Sequence, residues 1–153
     1  HITAGMAVAF REAMSDEFKE YAKQVVRNSQ RLCDCLKGMG YEIVSGGTDN
    51  HMFLVNVVKS TGVGGEEVSS VLEKVNITVN KNAIPRDDRK PWDPSGIRIG
   101  TPAVTTRGMK EEDMDRIAVF MDTALRNMKN EKVLRHLRSD VQDFASQFPI
   151  PGI

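Results

Sequence analysis

The stretch Ser95-Gly96-Ile97-Arg98-Ile99-Gly100-Thr101-Pro102-Ala103 alternates β-branched residues with glycine and one charge, and it stops at a proline. This pattern predicts a short strand in which Ile97 and Ile99 share one face while Arg98 projects from the other. The flanking glycines allow a backbone or a ligand to approach closely. A guanidinium presented in this way can bind a carboxylate or a phosphate through two parallel hydrogen bonds. The alternative is an edge strand whose arginine is merely solvated.

Regular elements are predicted on both sides of this strand from apolar periodicity and from capping and turn residues. The predicted helices cover residues 3–14, 15–38, 66–75, 110–128 and 131–148. The predicted strands, besides the stretch quoted above, cover residues 41–44, 51–58 and 76–80. Residues 103–106 could form a single helical turn. Residues 81–94 contain three prolines among many charges, which predicts a long loop that is either functional or disordered.

The order of these elements predicts an α/β fold, α+β-like because the domain is small. Three or four strands form a mixed or antiparallel sheet that helices cover on one face. The segment 51–58 is apolar on both faces for much of its length, so it is predicted to lie in the middle of the sheet. Such an architecture does not by itself indicate a function.

Composition argues against a nucleic-acid-binding, membrane-spanning, metal-binding or disulfide-bonded protein. The 153 residues suit one domain, and 21 basic residues balance 21 acidic ones, so the charge offers no basic surface for nucleic acid. No apolar run approaches the roughly 20 residues of a membrane span. The histidines are scattered and have no metal-ligand spacing. Cys33 and Cys35 point away from each other on a helix and are poor disulfide partners, which, without a secretion signal, favours a reducing cytoplasm.

The start of the chain is unusual. It begins with His1 rather than methionine, and the helical pattern from residue 2 onward has no capping residue before it. We therefore expect this chain to be part of a longer protein. The first helix should then leave apolar surface exposed, and the isolated chain should self-associate or need its other part.

Three motifs carry a resemblance to a known family. They are Ser45-Gly46-Gly47-Thr48-Asp49-Asn50-His51, then Asn76-Ile77-Thr78-Val79-Asn80-Lys81-Asn82, then the stretch quoted first together with Thr105-Thr106-Arg107-Gly108. In this order and spacing the chain closely resembles the C-terminal part of serine hydroxymethyltransferase. That pyridoxal-phosphate enzyme interconverts serine and glycine using tetrahydrofolate. The resemblance covers essentially all of the chain.

The resemblance implies a domain organisation. Residues 1–153 would form a single C-terminal small domain of the aspartate-aminotransferase-like fold, with the end of a connecting helix at residues 1–14. The large cofactor-binding domain would be absent from this chain, and with it the lysine that carries pyridoxal phosphate. This chain would then contain no catalytic residue and would be inactive alone. The family implies a homodimer, or a tetramer, with sites at the subunit interface.

The resemblance also implies site residues. Arg98 matches the arginine that binds the carboxylate of serine or glycine, and Asn82 matches a position that hydrogen-bonds the pteridine of folate. Lys90, Pro91 and Trp92 fall where the family contacts the folate body, and Lys81 could attract the glutamate carboxylates of folate. Alternatively, Trp92 packs over the loop and the two lysines are solvated charges.

Other polar residues are expected to be structural. Asp49 and Asn50 should hydrogen-bond their own backbone, His51 should be a hydrogen-bonded structural histidine, and Arg107 should brace the backbone or an ion pair. Two functions from other classes stay open: a free-standing module that captures a small carboxylate through Arg98, and an oligomerisation domain without catalysis.

Overall fold

The computed structural model describes residues 1–151. The helices of this part of the chain are α1 (Ile2–Ala13), α2 (Asp16–Gly38), α3 (Val57–Thr61), α4 (Gly65–Lys74), α5 (Pro102–Thr106), α6 (Glu111–Arg126) and α7 (Glu131–Ser146). The strands are β1 (Glu42–Ile43), β2 (Met52–Asn56), β3 (Asn80–Asn82) and β4 (Gly96–Gly100). The predicted order of elements is confirmed, with α3 added.

The four strands form one antiparallel sheet in the order β1-β2-β4-β3. The predicted α/β class and the number of strands are therefore confirmed, and β2 lies in the interior as expected. Because β4 pairs with β2 on one side and β3 on the other, the arginine strand is also interior. The alternative is wrong in placing Arg98 on an edge strand, but its arginine exposed to solvent is observed.

The two faces of the sheet differ sharply. Phe53 and Val55 of β2 lie opposite Ile99 and Ile97 of β4, and all four side chains are buried. Helices α2 and α4 pack on this face, and α6 packs on both of them. Burying side chains of this size contributes about 1.5–3 kcal/mol each. The opposite face presents Arg98 to solvent, and near Gly96 it is covered by Ile84 of the loop that follows β3.

Helix α2 begins and ends where its sequence predicts. The Oγ of Ser15 accepts a hydrogen bond from the backbone N–H of Phe18 at 3.1 Å, which caps the first turn. The helix ends before Gly40, whose φ of 96° suits glycine. Arg31 in the middle of this helix donates two hydrogen bonds, of 2.6 and 2.7 Å, to the carboxylate of Asp115 in α6.

Two predicted strands have different bounds. The strand predicted at 51–58 ends at Asn56, because the Oδ1 of Asn56 accepts from the backbone of Lys59 and starts α3. The strand predicted at 76–80 is β3 instead, three residues long. Asn76 has a φ of 61° and the N–H of Ile77 bonds back to α4, so pairing with β4 begins only at Asn80.

Helix α1 has no buried residue. Its apolar side chains are open to solvent, with exposed fractions of 70% for Ile2 and 63% for Phe10. This confirms the expectation that the first helix leaves an apolar face exposed. Among residues 1–151, no helix is both long and apolar enough to cross a bilayer.

The two cysteines are free, as predicted. Cys33 is buried, whereas the thiol of Cys35 donates to Asp115 Oδ1 at 3.1 Å. Burial, together with that hydrogen bond, raises the pKa of Cys35 to about 11. Few thiolates therefore form at neutral pH, and neither cysteine has the character of a reactive nucleophile.

Candidate functional site

Arg98 occupies the middle of the open sheet face. Leu54 of β2 and Asn80 of β3 are its cross-strand neighbours, and its side chain is exposed. Within residues 1–151, Arg98 takes part in none of the side-chain hydrogen bonds or ion pairs. Its guanidinium fork is therefore free to bind an anion, and a planar carboxylate fits it best.

The register brings Asn82 to the same face as Arg98. Asn82 pairs with Gly96, two positions along β4 from Arg98, which places the two side chains roughly 7 Å apart along the strand direction. The Nδ2 of Asn82 donates to the carbonyl of Ala83 at 2.6 Å, which fixes the amide at the start of the loop. A donor fork and an amide thus share one polar surface.

Lys81 lies on the opposite, helix-covered face, because it pairs with the buried Ile97. Its ammonium forms an ion pair with Glu66 of α4. The structure therefore does not bring Lys81 together with Arg98 and Asn82. Side chains of successive strand residues alternate between faces, so this separation follows from the register itself.

The loop between β3 and β4 is held by Asp87. Its carboxylate accepts hydrogen bonds from Ser95 Oγ at 2.6 Å and from the backbone N–H groups of Ser95, Arg89 and Ile84 at 2.8, 3.0 and 3.3 Å. Partial burial acts to raise the pKa of Asp87, but these hydrogen bonds outweigh it and lower the pKa to about 2. The loop that was predicted to be either functional or disordered is therefore ordered around one carboxylate.

The loop also lies directly against β4. A Cβ on Gly96 would lie 2.6 Å from Cγ2 of Ile84 and 2.8 Å from the carbonyl oxygen of Asn82. Any larger residue would push the loop away from the strand. The glycine before Arg98 therefore permits the close approach that the sequence pattern suggested.

The tip of the loop carries Lys90, Pro91 and Trp92. The Nζ of Lys90 lies 5.2 Å from the centroid of the Trp92 ring, a cation–π contact. The side chain of Trp92 is 64% exposed. Most of the indole is therefore open to solvent rather than covered by the loop.

Sequence reasoning missed the anchor at the far end of β4. Thr101 is fully buried, its Oγ1 donates to the carbonyl of Val25 at 2.8 Å, and its N–H donates to the carbonyl of His51 at 3.0 Å. Thr105 Oγ1 bonds back to the carbonyl of Thr101 and accepts from the buried Asn28. The sequence feature that could have indicated this anchor is the threonine between glycine and proline, a polar residue at the end of an apolar strand.

Of the other polar residues, Asn50 and Arg107 are structural, whereas the exposed Asp49 side chain makes no hydrogen bond among residues 1–151, contrary to expectation. The Oδ1 of Asn50 accepts from the backbone of Met52 at 3.0 Å, as predicted. Arg107 donates to the carbonyls of Phe148 and Ala145 at 2.7 and 2.5 Å, which confirms its bracing role. The side chain of His51, in contrast, is exposed and takes part in none of the hydrogen bonds of residues 1–151, so only its backbone is structural.

The comparisons with known proteins identify the family. The family model for serine hydroxymethyltransferase matches residues 1–121, which include β4 and the whole loop. The chain belongs to the serine hydroxymethyltransferase family. It is 51% identical over 152 residues to a serine hydroxymethyltransferase of Acidobacterium capsulatum, covering 99% of this chain and 35% of that relative. It is 47% identical over 150 residues to one of Methanosarcina barkeri, covering 98% of this chain and 36% of that relative.

The chain spans about a third of the length of the serine hydroxymethyltransferases it matches. The matched range contains Arg98, Asn82 and the anchor at Thr101, whereas α7 lies outside it. Within residues 1–151 no group of three or more His, Cys, Asp or Glu side chains could hold a metal ion.

Proposed function

We propose that this chain is the C-terminal small domain of a pyridoxal-phosphate-dependent serine hydroxymethyltransferase. The complete enzyme interconverts serine and tetrahydrofolate with glycine and 5,10-methylenetetrahydrofolate. Residues 1–153 supply the substrate-carboxylate arginine and the folate-contact loop. The catalytic lysine belongs to a large domain outside this chain, so the chain is inactive alone.

The observation that carries this proposal is the unpaired guanidinium of Arg98 in the middle of an open sheet face. A buried or paired arginine would have to break existing contacts before binding a substrate, whereas this one needs no such exchange. The strand that carries it is hydrogen-bonded on both sides, so the backbone that presents the fork is fixed before ligand arrives. Preorganisation of this kind lowers the entropic cost of binding.

Arg98 therefore positions the amino acid by its carboxylate. Holding that group through two hydrogen bonds fixes the rotation of the α-carbon, and with it which bond of the substrate is aligned for cleavage. Pyridoxal phosphate, when bound, supplies the electron sink for that cleavage. The contribution of this chain is orientation and charge, not proton transfer.

The loop forms one wall for the folate cosubstrate. Asn82 hydrogen-bonds the pteridine, and the exposed ring of Trp92, with Lys90 and Pro91, packs along the folate body. Lys81 lies outside this wall, because its ammonium pairs with Glu66 on the helix-covered face of the sheet. The hydrogen bonds of Asp87 hold the start and the end of this loop together.

The assembly follows from the exposed first helix. Residues 1–14 form the end of a helix that connects to the large domain, and their apolar face packs against it. The complete enzyme is a homodimer or tetramer. We place it in the cytoplasm, because its two cysteines stay reduced and unpaired.

The substitution Arg98→Lys in the full-length protein tests this proposal. Lysine keeps the charge but loses the two-donor fork, so we expect the KM for serine and the Kd for glycine to rise by about 10–100-fold, a loss of roughly 1.5–3 kcal/mol. Steady-state kinetics and glycine titration give both numbers. Arg135→Lys, an exposed arginine of α7, is the matched control and should change neither.

An unchanged glycine affinity in Arg98→Lys would remove Arg98 from this role. If glycine binds the isolated chain with normal affinity, the free-standing carboxylate-binding module is the better description. If the full-length protein binds neither glycine nor folate, the chain serves oligomerisation alone.

A further inference from the structure

A cavity of about 170 Å³ lies on the helix-covered side of the sheet, away from Arg98. It is enclosed by β4, the segment that precedes β3, and the helices α5, α6 and α7. Its walls are mostly carbon, formed by Ile77, Val79, Val104, Ile117, Phe120 and Phe144. Several of these side chains are only partly buried, so the cavity reaches the surface between them.

Polar groups are few at this cavity. Asn76, Thr78 and Arg107 contribute to its lining. The guanidinium of Arg107 is directed to two backbone carbonyls at the end of α7, at 2.7 and 2.5 Å. An ordered water needs two to four polar partners, and an apolar cavity that lacks them stays dry. The interior of this cavity is therefore poorly suited to water.

The size of the cavity indicates what can fill it. An engineered protein cavity of about 150 Å³ with leucine, isoleucine and phenylalanine walls stays dry and takes up benzene or xenon. The cavity here has a similar volume and a mostly apolar wall, although, unlike that closed cavity, it opens to solvent. Filling it restores dispersion contacts that the lining side chains otherwise lack.

We propose that this cavity is a binding site for a small apolar molecule the size of one aromatic ring. The proposal is independent of the function assigned to Arg98, because Ile99 lines the cavity from the opposite face of β4. A bound molecule packs between the strand that carries Arg98 and the helices behind it. The site stabilises that layer of the fold.

Xenon is the direct probe. Crystals of the full-length protein pressurised with xenon should show a xenon atom between Val104, Ile117 and Phe144. Absence of xenon there overturns the proposal, whether the space holds ordered water or a side chain from another part of the polypeptide. This measurement needs no variant and no activity.

Toluene gives a solution test of the same site. The melting temperature of the full-length protein should rise with toluene concentration, because the ligand binds the folded state. Ala145→Leu and Ile117→Phe, which extend side chains into the cavity, should each abolish that rise. Ala22→Leu, an exposed alanine of α2, is the matched control and should keep it.

Two variants are used because one of them could fail to fold. If Ala145→Leu does not fold, Ile117→Phe still tests the site. Retention of the toluene effect in a folded cavity-filling variant overturns the proposal. Loss of the effect in both variants and not in the control supports it. Neither readout depends on glycine or folate binding, so a failure here leaves the assignment of Arg98 intact.

Discussion

The role of each residue in the loop and the strand beside it depends on which face of the sheet it occupies. Asn82 and Arg98 share the open face, whereas Lys81, one residue away, is committed to Glu66 on the other side. Asp87 has a different task, because its four hydrogen bonds hold the loop against β4. Asp87 therefore determines the conformation of the loop that follows Asn82.

Asp87→Asn should loosen the loop. The folded-state pKa of Asp87 is about 2, below its value in an unfolded chain, so its stabilising contribution is fully present above about pH 4. That contribution is lost as the pH falls through 2. Because solvent screens this half-buried group, we expect a cost of about 1 kcal/mol at neutral pH. Hydrogen exchange of the loop amides should become about fivefold faster.

The control for this change is Asp88→Asn, an exposed carboxylate next to Asp87 in the same loop. It should leave exchange of the Ile84, Arg89 and Ser95 amides unchanged. Equal exchange rates in the wild type and in Asp87→Asn at pH 7 would contradict the role given to Asp87.

At the scale of elements, β4 is fixed at both ends. Ser95 ties its start to the loop through Asp87, and Thr101 ties its end to α2 through the carbonyl of Val25. Neighbouring strands hold it on both sides. The strand that carries Arg98 is consequently among the most constrained parts of the fold, as positioning a substrate requires.

Thr101→Val tests the anchor at the end of β4. Valine fills the same volume but cannot donate to the carbonyl of Val25, so we expect the free energy of unfolding to fall by about 1–2 kcal/mol. Denaturant titration monitored by circular dichroism measures this. The control, Thr123→Val, removes a hydroxyl that only bonds within its own helix and should stay within about 0.5 kcal/mol. Equal losses in the two variants would deny Thr101 a special role.

At the scale of the whole molecule, α1 stands apart. It contributes nothing to the buried core of residues 1–151, yet it exposes Met6, Phe10 and Met14. A surface helix of a free-standing domain would bury one apolar face. The exposed face of α1 is therefore a surface that another part of the protein, or a second copy, should cover.

We expect the isolated 153-residue chain to self-associate through this face. Phe10→Gln combined with Met6→Gln should reduce the association constant by at least tenfold, since each buried apolar side chain contributes about 1.5–3 kcal/mol. Sedimentation velocity across a range of concentrations measures the association. Glu12→Gln on the same helix should not change it. A monodisperse wild-type monomer at high concentration would refute this expectation.

Much of the fold could be read from local patterns. Apolar periodicity predicted α2, α6 and α7, and β4 was predicted from its alternation of isoleucine, charge and glycine. The predicted strand bounds were wrong where a nearby residue favours a helix cap or a turn over strand pairing. Asn56 starts a helix by capping it instead of extending β2, and Asn76 turns the chain before β3 can pair. Such competition is decided by hydrogen-bond partners that the sequence does not display.

Local sequence patterns predicted the longer helices, the strand around Arg98, the family and the anion-binding chemistry of an exposed guanidinium. The reason is that periodicity, capping and side-chain type are local properties of the chain. Only the tertiary structure decided that β4 is interior, that Lys81 faces away from Arg98, that Asp87 orders the loop and that Thr101 anchors the strand. These depend on strand order, on register and on bonds between residues as far apart as Val25 and Thr101, which only the packed fold brings together.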